Sequence, residues 1–93
     1  MQRITQKDNE AVCERINRIT GSPLKTWERK GEKNVSAIGN YHLDGAYGGW
    51  ALHRIVSDGG GVDDVFRCGH VSKRELYDRM QAFISGLNTN KTA

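Results

Sequence analysis

The chain has 93 residues, 37% of them hydrophobic, and 14 Lys and Arg stand against 11 Asp and Glu for a formal net charge of +3. That suffices for one modest core and not two, and nowhere do about 18 apolar residues run together to cross a bilayer. Gln2 to Lys7 contain no apolar stretch for a signal peptide, and the only cysteines, Cys13 and Cys68, are too few for a disulfide framework. We therefore expect one soluble, cytoplasmic domain over 1–93, flexible at 1–4 and 88–93.

Thr5 followed by Asp8 marks a helix start, and Val12, Ile16 and Ile19 recur at helical spacing before Gly21 and Pro23 stop the segment. This predicts a first helix from Gln6 to Thr20. Its apolar stripe is narrow, so it needs a sheet beneath it.

Leu24 to Lys30 and Asn34 to Leu43 read as strands around a Lys30-Gly31-Glu32-Lys33 turn, and Trp50 to Val56 reads as a third strand beyond the glycine cluster at 45–49. Val62 to Phe66 satisfies either an edge strand or a helical turn. The three glycines Gly59, Gly60 and Gly61 before it read as a mobile loop tip.

Ser72 and Glu75 form a capping box, with Val71 and Leu76 placed as a hydrophobic staple. Leu76, Met80, Phe83, Ile84 and Leu87 then trace one apolar face, which predicts a second helix to about Gly86 and a polar tail beyond it. The fold class expected is α+β, with order α-β-β-β-α. Two helices cover one face of a three-stranded antiparallel sheet, or a four-stranded one if Val62 to Phe66 joins it.

If Leu43 lies opposite Trp50, the period of two puts Tyr41, Leu43, Trp50 and Leu52 on the face that receives the helices. The reverse then carries Ile38, Asn40, His42, Ala51, His53 and Ile55, with nothing obvious to cover it. A slip of one residue would exchange the faces of one strand.

No ligand spacing of a recognised metal site links His42, His53, His70 and Cys68, so no metal is expected. Cys68 with His70 lacks a third orienting group, and Asp63 with Asp64 reads as a pair of solvated turn carboxylates. No catalytic residue and no cofactor are identified, and the chain is expected not to be an enzyme. Gly45-Ala46-Tyr47-Gly48 matches the GxxG run with which KH domains clamp a nucleic-acid backbone, but there it joins helices and here it joins strands.

Residues 1–33 hold eight bases and five acids, residues 34–71 two and four, and residues 72–93 four and two. Solvated helix faces explain basic ends, and so does a basic docking surface. The chain order, with Ser72-Lys73-Arg74-Glu75 opening the second helix, is similar to the double-stranded RNA-binding domain. That resemblance implies phosphate contacts from Lys73 and Arg74, although Leu76, Tyr77, Asp78 and Met80 depart from the family's helix.

A second resemblance spans nearly the whole chain. The run from Ile16 to Pro23, Gly39 to His53, Gly59 to Phe66 and Arg67-Cys68-Gly69-His70 resemble a group of small uncharacterised proteins encoded by tailed bacteriophages and prophages. It implies a bacterial host cytoplasm and an accessory role, exerted by binding a host or phage protein.

Two functions follow as expectations. The first is a protein-binding module using Tyr41, His42, Tyr47, Trp50, His53 and Arg54, since aromatic residues and arginine dominate interface energies. The second is a nucleic-acid-binding module using Lys25, Arg29, Lys30 and Lys33 of the first hairpin with Lys73, Arg74 and Arg79 of the second helix. Self-association into a homodimer through the uncovered sheet face is a third outcome.

Overall fold

A computed structural model describes residues 3–92, with side chains from 3 to 89. Helix α1 spans Gln6–Thr20. The Thr5 hydroxyl accepts from the Asp8 amide at 3.2 Å while the Asp8 carboxylate accepts from the Thr5 amide at 2.8 Å, so two orphan donors are satisfied reciprocally. The helix ends where Gly21 turns left-handed and its amide reaches the Arg18 carbonyl.

Strands β1 (Trp27–Lys30) and β2 (Lys33–Ser36) form a separate two-stranded hairpin. The expected strand from Asn34 to Leu43 is therefore broken. Gly39 has φ 95°, the Asn40 amide folds back to the Ala37 carbonyl at 3.1 Å, and the Asn40 side chain donates to the Pro23 carbonyl at 2.8 Å. A left-handed residue cannot sit in a pleated ladder, so the chain leaves one sheet and enters another at this point.

Strands β3 (Tyr41–Ala46), β4 (Gly49–Ile55) and β5 (Val62–Asp64) make the second sheet, antiparallel in the order β3-β4-β5. Tyr47 and Gly48, both at positive φ, close a two-residue hairpin turn. Leu43 lies opposite Leu52 and Gly45 opposite Trp50, two residues away from the pairing of Leu43 with Trp50 considered from the sequence. Because a shift of two preserves parity, each side chain keeps its expected face.

The Val62 segment resolves as an edge strand, ended when the Asp64 carboxylate accepts the amides of Arg67 and Gly69 at 3.2 and 3.0 Å. The chain then returns to the same edge of β4. Val71 and Trp50 exchange backbone hydrogen bonds of 2.7 and 2.8 Å. Gly49 permits this approach, since a Cβ there would meet the backbone of His70 and Val71 at 3.0 to 3.1 Å.

Helix α2 spans Lys73–Thr92, with the Ser72 hydroxyl accepting from the Glu75 amide at 3.1 Å. It passes the expected end at Gly86, where nothing imposes a left-handed turn. Of the tails expected to be flexible, residues 88–92 are helical and residues 1, 2 and 93 lie outside the described residues.

The fold is α+β: two helices with small antiparallel sheets of two and three strands. The core joins Val12, Cys13 and Ile16 of α1 and Leu76, Met80 and Ile84 of α2 to Tyr41 and Leu52 of the sheet. Among the described residues no helix is long and apolar enough to cross a membrane.

Candidate functional site

Paired strands place directly opposed residues on one face. Since Tyr41 and Leu52 point into the helical core, the alternate positions His42, Asp44, Ala51, His53 and Ile55 point to the reverse. That face is less bare than the sequence implies. Ala51 and Ile55 are 1% and 4% exposed, and Asn40 is buried against Pro23 while Ile38 stays outside.

One side chain over this face comes from the segment after β5. Pairing of Val71 with Trp50 sets Val71 on the helical side and its neighbour His70 on the reverse. His70 Nε2 lies 2.7 Å from Asp44 Oδ2, and Asp44 is the residue paired with Ala51. An ionised carboxylate only accepts, so the imidazole donates through Nε2.

Three further ring contacts complete the cluster. His53 lies edge-on to His42 and His70, with centroids 5.9 and 6.1 Å apart, and Tyr47 meets His70 at 5.8 Å. The Asp44 carboxyl is held below its ordinary range, chiefly by the hydrogen bond from His70; burial opposes this, and the nearby imidazoles each add a smaller lowering effect. Burial, then the charge of His53, lowers the pKa of His42, with Asp44 opposing. The buried Nδ1 of His42 meets no hydrogen-bond partner among the described residues.

The six residues expected at a protein interface divide between the two faces. His42 and His53 are half-buried on the reverse, and Tyr47, 98% exposed, stands at the turn beside them. Tyr41 is not a free anchor: it is 9% exposed, packs on Phe83 and has the Arg54 guanidinium over its ring at 5.6 Å. Trp50 is half-buried on the helical side, its ring over Gly45. Even residues of β3 and odd residues of β4 reach the reverse face, so Tyr41, Trp50 and Arg54 cannot.

Asp44 and His70 were not among the expected interface residues. Asp44 shares parity with His42 and could have been included on that ground. His70 depends on the bridge from Val71 to Trp50, for which a single isolated pairing leaves no sequence signal.

Of the expected nucleic-acid contacts, Arg79 bonds Glu75 at 3.1 and 3.2 Å, Arg74 approaches Asp78 at 3.6 Å and Lys30 approaches Glu28 at 4.0 Å. Lys25 lies over the Trp27 ring, Arg29 donates to the Gly31 carbonyl, and Lys33 stands opposite Lys30. Lys73 is half-buried at the start of α2.

A cleft of about 360 Å³ runs between α1 and β3, lined by Glu10, Cys13, Asn17, Leu24, Tyr41 and His42 among others. Its one thiol is not poised for chemistry, because burial pushes the Cys13 pKa up to about 12. No protein-family model, curated protein or solved structure matches this chain.

Proposed function

We propose that the chain is a non-enzymatic binding module that recognises a protein through the reverse face of β3 and β4 and the Tyr47-Gly48 turn. The observation that carries this reading is Tyr47. A tyrosine at φ 54° and 98% exposed is held in a costly conformation with its ring presented to solvent, against the imidazole of His70. Left-handed backbone at a non-glycine residue costs on the order of 1 kcal/mol and tends to mark ligand clamps.

Charge selects the kind of partner. Asp44 and Asp64 place two carboxylates on this face, so it favours a protein surface bearing Lys or Arg over a polyphosphate. The nucleic-acid reading is weaker, because Arg74, Arg79 and Lys30 each have a carboxylate close by.

The expected kinship with phage-encoded proteins makes a nuclease-treated bacterial lysate the place to test this. The intact chain should capture a protein that Tyr47→Ala and Asp44→Asn lose and Arg79→Ala keeps. Capture that disappears with nuclease, or that Tyr47→Ala leaves intact, would reject the reading.

A further inference from the structure

We propose that Asp44, His53 and His70 form a binding site for a divalent transition metal of the zinc class, the ligands being one carboxylate oxygen and one nitrogen from each imidazole. These donor atoms all lie within 4.8 Å of one another. In a tetrahedral zinc site with bonds near 2 Å, ligand atoms stand roughly 3.3 Å apart. His70 Nε2 and Asp44 Oδ2, now hydrogen-bonded at 2.7 Å, would part slightly and the wider pairs close by up to roughly 1.5 Å for the trio to hold an ion.

The backbone holds all three in place. Asp44 and His53 sit on adjoining paired strands with the same facing, two residues apart in register, and the two hydrogen bonds between Val71 and Trp50 fix His70 across from them. The three residues are partly buried, His70 more enclosed and the Asp44 side chain open enough for an ion to enter.

The donor set chooses the ion. Two imidazoles with one carboxylate suit Zn²⁺, Co²⁺ or Ni²⁺, whereas Mg²⁺ and Ca²⁺ take oxygen donors. Three protein ligands leave a fourth position facing outward from the sheet. His42 touches this group through His53 but is not among the converging donors. Neither is Cys68, whose sulfur faces the Gly69 carbonyl at 3.6 Å.

This inference does not depend on a protein partner, because uptake is read on the free chain. Tag-free full-length protein stripped with a chelator is titrated with Zn²⁺ by calorimetry and with Co²⁺ by visible absorption. One ion per chain should bind, and His53→Gln and Asp44→Asn should each weaken binding at least about tenfold while retaining the wild-type circular dichroism. Cys68→Ser should leave affinity within about threefold, since its sulfur faces the Gly69 carbonyl and supplies no ligand. Absence of saturable heat and of Co²⁺ absorption bands would overturn the proposal. Uptake undiminished in both His53→Gln and Asp44→Asn, or lost in Cys68→Ser, would overturn it too.

Discussion

The side-chain amide of Asn17 pairs with both backbone groups of Tyr41, donating to its carbonyl at 2.9 Å and accepting from its amide at 2.8 Å. Tyr41 is on an edge strand, and these groups point away from β4. One buried residue of α1 thus stands in for a neighbouring strand and closes the edge there. Asn17→Leu keeps the branching of the side chain but strips the Tyr41 amide of its partner and leaves the carbonyl only the Cys13 thiol, and should lower stability by about 1–3 kcal/mol in urea denaturation. A loss under about 0.5 kcal/mol would show that water or Cys13 takes over the pairing.

Gly49 is the hinge on which the reverse face depends. A methyl group there meets backbone atoms of His70 and Val71, which cannot rotate out of the way as a side chain could. Gly49→Ala should cost roughly 1–3 kcal/mol and detach the pairing of Val71 with Trp50. Amide hydrogen exchange at Val71 and Trp50 should speed up selectively, and unchanged protection of both would contradict the reading.

Tyr47→Gly should stabilise the chain, because glycine removes the left-handed strain at the turn and the ring at this position is almost wholly in solvent. A gain of about 0.5–1 kcal/mol is expected on thermal unfolding. The same variant should lose partner capture. A variant less stable than wild type would mean that the contact with His70 outweighs the strain.

The two cysteines should differ in reactivity. Cys13 is buried, donates to the Tyr41 carbonyl and has a pKa near 12, so at pH 8 it is a thiol shielded from reagent. A disulfide reagent should modify Cys68 first and Cys13 only after denaturation. Burial favours the protonated Cys13 in the folded chain, so its contribution to stability is intact below the ordinary value of 9.0 and is lost as pH rises towards about 12. Equal labelling rates in the native chain, or no added alkaline loss relative to Cys13→Ala, would contradict this.

Much of the fold was legible in the chain. Thr5 with Asp8 and Ser72 with Glu75 announce both helix starts through the chemistry of capping, and alternation assigns the facing of β3 and β4 despite a two-residue difference in register. The break at Ala37 to Asn40 was not, because Asn34 to Leu43 has strand composition throughout and only the left-handed Gly39 and the bond from Asn40 to Pro23 divide it. The site was half legible. His42 and His53 follow from parity, whereas His70 is brought in by a long-range bridge through Val71. Tyr41 and Trp50 look alike as exposed anchors or as core, and tertiary packing decides it, Tyr41 against Phe83 of α2 and Trp50 over Gly45.

The account rests on His70 lying across β4 between Asp44, His53 and Tyr47. Nuclear Overhauser contacts of the His70 ring test this most directly. Cross-peaks from His70 to the rings of both His53 and Tyr47, with an exchange-protected Nε2 proton, are the predicted result. A His70 ring with neither contact, and with its Nε2 proton in free exchange, would contradict the cluster and every role assigned to it.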